Sequence, residues 1–569
     1  MTRWLLVGSS LVGAVMVVAA TSAAQRPDGV AAVSGRPAGA ADNGASDAAL
    51  LPAPLFDDPE IFKTSDRCLA CHKGVSTTEG VDVSIGYDWR ASMMANSGRD
   101  PYWQAAVRRE ITDYPEAQEA IEAKCSRCHM PMANEVATRA GRSPGVFENL
   151  PIGGSDSPTA VLAADGVSCS ACHQIVPDGL GTDASFTGGF RITEATPAEG
   201  RPMYGPFEPD AGGVGIMHSA TGFRPTEGRH IQSSELCASC HTLFTHAVQG
   251  GQVTGPEFPE QAPYLEWKVS RYAEDGQSCQ DCHMPEVGQD VPVTAVLGRA
   301  RPNVSRHVFR GGNFFMLRML GRYRAELGVT ALPQELALSA DRTEAHLRTS
   351  TVEVAVENAM VLGQQLHADV RIHNLAGHKF PTAYPSRRAW IHLTVRDRGG
   401  SLAFESGAFQ ADGRIDGNDN DADPARYEPH YTQITTPEQV QIYEAVMADG
   451  SGAVTTGLMS AERWLKDNRL QPEGFDAAAG GSRVATRGAA VEDADFGAGG
   501  DRVRYTLDVD PARGPFTVEA ELWFQPVAYR WAMNLADYET FETQRFVRYY
   551  RDMASRSALV VGQASAQAR

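Results

Sequence analysis

From about residue 350 onward, apolar and polar residues alternate over strand length. TVEVAVENA, LHADVRIHNL, AWIHLTVRD, VRYTLDVD and FTVEAELWFQ each turn every second side chain to one face, with Gly, Pro and Asp turns between them. This period of two predicts an antiparallel β-sandwich with long insertions. The stretch from Asp476 to Asp501, dense in Ala and Gly, reads as a loop. Earlier in the chain the period lengthens. YPEAQEAIEAKCSRCH opens with Pro115 in its first turn and reads as a helix. GGNFFMLRMLGRYRAELG offers an apolar face of Phe314, Phe315, Leu317, Leu320 and Tyr323, and LPQELALSADRTEAHL behind Pro333 reads as a connecting helix over 331–349. The fold class expected is α+β: an irregular, helical region over 55–330 followed by a β-sandwich-like domain over 350–569. The second region carries a strand period of its own and is expected to fold by itself.

The N-terminus adds a processing signal. Arg3, an apolar stretch from Trp4 to Ala20, and small residues at Ser22 and Ala24 form the pattern of a cleavable export signal over 1–24, an uncleaved anchor being the alternative. Residues 25–54, mainly Ala, Gly, Pro, Ser and Asp, bury too little apolar surface to order themselves and read as a flexible leader. No later stretch is long and apolar enough to span a bilayer, so the mature chain is expected in the bacterial periplasm or beyond. A length of 569 residues with 42% hydrophobic exceeds one ordinary core. The net charge of -19, from 51 basic and 70 acidic residues, argues against nucleic-acid binding and suits basic proteins as partners.

The ten cysteines carry the chemistry. They fall into five pairs of one form: CLACH (Cys68, Cys71, His72), CSRCH (Cys125, Cys128, His129), CSACH (Cys169, Cys172, His173), CASCH (Cys237, Cys240, His241) and CQDCH (Cys279, Cys282, His283). Disulfides suit an exported chain, and zinc ribbons also use CxxC. Neither explains the histidine after each second cysteine. Histidine is 15 of 569 residues, so five such coincidences have a chance probability of about 10⁻⁸. Haem c requires that residue: two thiols add to the vinyl groups and the adjacent imidazole reaches the iron. Five haem c groups are therefore expected, with His72, His129, His173, His241 and His283 as proximal iron ligands.

Five irons ask for five further ligands. Outside the motifs the 55–330 region holds four histidines, His218, His230, His246 and His307. One ligand is missing, and three solutions stand open. A methionine, Met93 or Met94 in DWRASMMANS, could complete the set; His378, on the Gly- and Pro-bounded segment GHKFPT, could reach across from the β region; or one iron could remain open for substrate. His346, His367, His373, His392 and His430 read as structural. DGRIDGNDNDADP places Asp416, Asn418 and Asn420 at alternate positions like a calcium loop, but the EF-hand glycine and glutamate are missing, and a solvated acidic turn is the favoured reading over calcium. No phosphate-binding loop and no G-x-S-x-G is present.

With the five CxxCH motifs and His307 in SRHVFRGG, residues 55–330 resemble a multihaem c-type cytochrome. Trp89-Arg90-Ala91-Ser92-Met93-Met94-Ala95 is similar to the W-x-x-S-x-H-A segment that supplies a distal histidine in the tetrahaem electron carriers of nitrification, with Met94 in place of the histidine. The resemblance implies that Met94 keeps a ligand role through sulfur. CHMP after two motifs, at Met130-Pro131 and Met284-Pro285, is similar to this class as well. It further implies that GHKFPTAYPSRR and the strands after it are an appended β domain with no activity of its own. Pentahaem nitrite reductases bind their catalytic haem through CxxCK, which this chain lacks, and hydroxylamine oxidoreductase carries eight haems. The expectation is an electron carrier working between donor and acceptor redox proteins. The alternative is an oxidoreductase with one open iron acting on a small nitrogen or sulfur compound.

Overall fold

The computed structural model describes residues 61–194, 200–497 and 499–569. The expected signal and leader lie outside them. In the motif-bearing region the helices are short and placed by the motifs. Asp100 caps the helix Pro101–Asp113, accepting from the amides of Tyr102 at 2.9 Å and Trp103 at 3.2 Å, with Pro101 in the first turn. Gln118–His129 follows a short turn begun by Pro115 and ends in the second motif. The other motifs sit on Ser65–Leu69, Cys169–Cys172, Ser234–His241 and Cys279–His283. The region also holds a hairpin of Leu243–Gln249 with Gln252–Gln261 and a parallel pair, Arg201–Gly205 with Phe223–Glu227.

Helices Phe314–Arg322 and Pro333–Ser350 lead into the β region. There, Arg388–Arg396 pairs antiparallel with Phe516–Gln525 on one side and Ile442–Ala448 on the other, and Leu559–Ala568 closes the far edge of Phe516–Gln525. The second sheet runs Gln433–Ile434, Gly500–Asp508, Gln365–Asn374, Val352–Leu362, antiparallel except for its first short pair. Alternation puts Leu366, Ala368, Val370 and Ile372 against Leu393, Val395, Val518 and Leu522 between the sheets, all buried. The five strands read from the alternating pattern are all present. Ile442–Ala448, Leu559–Ala568 and the helix Phe541–Met553 are additions: Leu559–Ala568 is an edge strand of mostly small and polar residues, so its inward face gives little signal.

The two regions share a core. Tyr102, Ala105, Phe315, Met319 and Leu320 belong to the same buried cluster as the strand residues, and residues 61–569 lie in one compact unit. Arg108 bonds Glu542 at 2.8 Å, and buried Glu110 accepts from the amides of Leu458 and Met459 at 2.8 and 3.2 Å, across the same seam. Among the described residues no helix is long and apolar enough to cross a membrane.

Candidate functional site

All ten motif cysteines, as free thiols, line one continuous cavity of about 1490 Å³. That exceeds the roughly 300–1,000 Å³ of an ordinary small-molecule site. The motifs meet one another along it. The thiols of Cys68 and Cys169 lie close enough to shift one another's pKa, as do those of Cys128 and Cys240 and of Cys237 and Cys279. Cys172 adds its field to Cys237, and His241 to His129 and His283. The spatial order of the motifs is therefore first, third, fourth, fifth, with the second joined to the fourth.

Four of the five motif imidazoles are oriented by backbone carbonyls. Nδ1 of His72 lies 2.7 Å from Val293 O, that of His129 3.1 Å from Ser97 O, that of His173 2.6 Å from Tyr204 O and that of His283 2.5 Å from Arg310 O. Such a bond holds the proton on Nδ1 and leaves Nε2 free as a ligand atom. Burial lowers the pKa of His129 and His283 to about 4 and lowers His173 and His241 as well, so these rings stay neutral. Trp103 stacks on His129 with centroids 4.4 Å apart and an interplanar angle of 3°.

Two further histidines face motif histidines across the cavity. The rings of His173 and His307 are 6.3 Å apart at 18°, and those of His283 and His378 are 6.1 Å apart at 13°. Two metal–nitrogen bonds of about 2 Å with half a ring at each end put opposed imidazoles about 6 Å apart, so both pairs have room for one iron between them. Nδ1 of His307 lies 3.2 Å from Ser305 O and that of His378 2.9 Å from Lys379 O, the same orienting pattern. His378 comes from the β region, on the loop after Gln365–Asn374.

His246 and His346 also line the cavity, each with a buried Nδ1 that has no partner. His346, on the helix Pro333–Ser350, is 6.2 Å from His283 at 71°. Nothing in the regular segment LPQELALSADRTEAHL distinguishes it in the sequence. His218 and His230 lie outside the cavity lining. His218 is exposed on the helix Ala211–Thr221 while its neighbour Met217 faces inward. His230 holds Ile175 O with Nε2 at 2.9 Å, and its Nδ1 edge packs on Gly228. Met93 and Met94 both line the cavity, half-buried. Nine histidines thus face it among the described residues.

Two other sequence features are absorbed by the fold. In the acidic turn, Asp421 is buried against Arg388 at 2.8 and 2.9 Å and accepts from the amide of Ile415, while Asp416 accepts from Gln410, which turns its acids to structural use. His430 lies near Asp493 and Asp501, but its Nδ1 accepts from the amides of Gln441 at 2.8 Å and Asn468 at 3.1 Å. The oxygens of both amides are held by backbone N–H groups, of Tyr431 and Glu444, so Nε2 must carry the proton that it donates to Asp493.

Comparison with solved structures finds a penta-heme cytochrome c552 from Thermochromatium tepidum with a TM-score of 0.51 and 16% sequence identity over 90% of this chain and 100% of that one. The chain is similar to that protein in fold. No protein-family model matches the chain, and no curated protein does.

Proposed function

We propose that the chain is an exported c-type cytochrome that carries five haems and passes electrons between redox proteins. The observation that carries this reading is that five CxxCH segments open onto one cavity, four of their imidazoles held by backbone carbonyls and two faced by a second imidazole at about 6 Å. Cys68/Cys71, Cys125/Cys128, Cys169/Cys172, Cys237/Cys240 and Cys279/Cys282 would hold the macrocycles, with His307 opposite His173 and His378 opposite His283. His246 and His346 are the further candidates for sixth ligands. Bound haem supplies reversible one-electron chemistry at iron, and the protein tunes it through ligand identity and burial. The chain's own contribution is to fix ring tautomers by carbonyls, exclude water with apolar walls and keep successive motifs in contact. Its acidic surface suits basic donor and acceptor proteins.

Nine imidazoles face ten axial positions, which favours a second reading in which one iron takes a methionine or a substrate. Mass spectrometry of the mature protein should show five haem additions and no free thiol; intact disulfides or stoichiometric zinc would end the proposal. The ferric spin state then separates the readings. A carrier is low-spin throughout, whereas an enzyme with an open iron shows a high-spin fraction near one fifth. His378→Ala is expected to turn one haem high-spin.

A further inference from the structure

The loop that carries His378 is tied to the segment leading into the motif it faces. Helix Pro263–Lys268 and the residues after it run directly to Cys279–His283. From this segment Tyr272 Oη donates to Leu375 O at 2.6 Å and Ser270 Oγ to Gly377 O at 3.2 Å, just ahead of His378. The approach there is close: a Cβ on Gly377 would lie 3.2 Å from Tyr272 and 3.4 Å from Trp267. Beyond His378 the tie passes to one side chain. Glu266, fully buried, accepts from the amide of Lys379 at 3.2 Å and from the hydroxyl of Thr382, both with Oε2.

The other oxygen of that carboxylate, Oε1, lies 3.0 Å from Nη1 of Arg469, whose Nε and Nη2 reach Asp467 at 2.8 Å each. Asp467 in turn accepts from Nζ of Lys379 at 2.8 Å. Two anions and two cations therefore alternate through Glu266, Arg469, Asp467 and Lys379, all buried. The series closes on itself at Lys379, whose amide bonds one end and whose ammonium is the other. Buried ion pairs gain little over apolar packing, because desolvation offsets attraction, but removing one partner strands the next. Such a ring holds one arrangement. Burial lowers the His378 pKa and the field of Glu266 opposes it, so the carboxylate reaches that imidazole.

We propose that Glu266 is a positioning residue for the fifth motif's axial pair, holding the loop behind His378 so that its ring stays parallel to that of His283. The 13° between the two rings is the arrangement it maintains. Nδ1 of His378 bonds Lys379 O, so the residue whose amide Glu266 grips also orients the imidazole. The proposal rests on the reading of His378 as the ligand opposite His283. His346, turned 71° from His283, would give a crossed pair in that position, which the test detects.

The test uses the purified ferric holoprotein as wild type, Glu266→Ala, Glu266→Gln, Thr382→Val, Thr382→Ser and His378→Ala, each first counted for haem by mass. Electron paramagnetic resonance reads the angle between axial imidazoles: near-parallel rings give a rhombic low-spin signal, crossed rings a strongly axial one, and a lost ligand a high-spin one. Glu266→Ala and Thr382→Val are expected to turn one haem axial or high-spin and leave the others. Where the ligand is lost, added imidazole restores low spin, which general loosening of the fold would not allow. Glu266→Gln keeps an oxygen for both loop donors and Thr382→Ser keeps the hydroxyl, so both should hold the wild-type signal. Wild-type signals in Glu266→Ala and Thr382→Val beside an altered His378→Ala overturn the positioning role and leave the haem reading intact. Should Glu266→Ala fail to fold, Thr382→Val decides. A silent His378→Ala, or an axial signal from this haem in the wild type, ends the His378–His283 pair and the proposal with it. A haem count of zero sinks the proposed function, and hydrogen exchange then judges the clamp alone. Protection at the Lys379 amide should drop about tenfold or more in Glu266→Ala while strand Arg388–Arg396 keeps its own, and unchanged protection overturns it.

Discussion

The two regions are held together by different means. In the β region one large cluster of strand side chains fills the space between two sheets. In the motif-bearing region the buried apolar residues divide into small groups, such as Ile61, Phe62, Met132, Ile175 and Phe190, or Val75, Val83, Val291 and Val304, set around the cavity. The first region makes its own interior. The second packs as separate small clusters, each lining part of one long cavity. The helices Pro101–Asp113 and Phe314–Arg322 belong to both, and through them the two regions share one packed core.

Breaking one attachment should give the largest effect. Cys169→Ala with Cys172→Ala is expected to remove one haem by mass and to abolish hydrogen-exchange protection around Ile175 and Phe190. Strands Gln365–Asn374 and Arg388–Arg396 should keep theirs. Equal loss in both regions would erase the distinction. Within the β region, Arg388→Ala strands the buried Asp421 carboxylate and should cost about 3–5 kcal/mol in thermal or denaturant unfolding, most of it recovered by Arg388→Met with Asp421→Leu.

Leu320→Ala tests the shared brace. Fully buried in the common core, it should cost about 2–4 kcal/mol and move the haem absorbance and β-sheet dichroism transitions together. Separate transitions would mean that the regions unfold independently. The smallest effect is pH-dependent. The folded Asp100 pKa of about 6 lies above the ordinary 3.8, so the folded state holds that proton more tightly and wild-type stability falls as pH rises from about 4 through 6. Asp100→Asn keeps the cap without the charge. Its stability relative to wild type should therefore grow over that window, by about 2 kcal/mol, in denaturant titrations at pH 4 and pH 7. A difference independent of pH would remove Asp100 from the buried groups.

The legibility of the chain follows the range of each interaction. CxxCH is a local pattern, so the five segments stand in the sequence as plainly as in the fold. The period of the β strands is local too, and FTVEAELWFQ is the strand Phe516–Gln525 residue for residue. Residues facing the motif histidines are set by tertiary packing, which spacing does not report. His378 was visible because Gly377 and Pro381 mark a presented loop. His346 sits in a regular helix and gives no such mark, while His218 and His230 carry the same residue type on surfaces turned elsewhere. His246 and His307, two of the four non-motif histidines of the 55–330 region, line the cavity, as do His346 and His378 from beyond it.

The ring pairs also bear on how such a molecule is made. His307 follows the fifth motif although it faces the third, and His378 lies beyond the connecting helix although it faces the fifth. In a chain that emerges in order from its N-terminus, the first pair cannot close before His307 has emerged, nor the second before His378. The third and fifth motifs are thus complete in sequence well before the residues that face them, both of which lie past the midpoint of the chain.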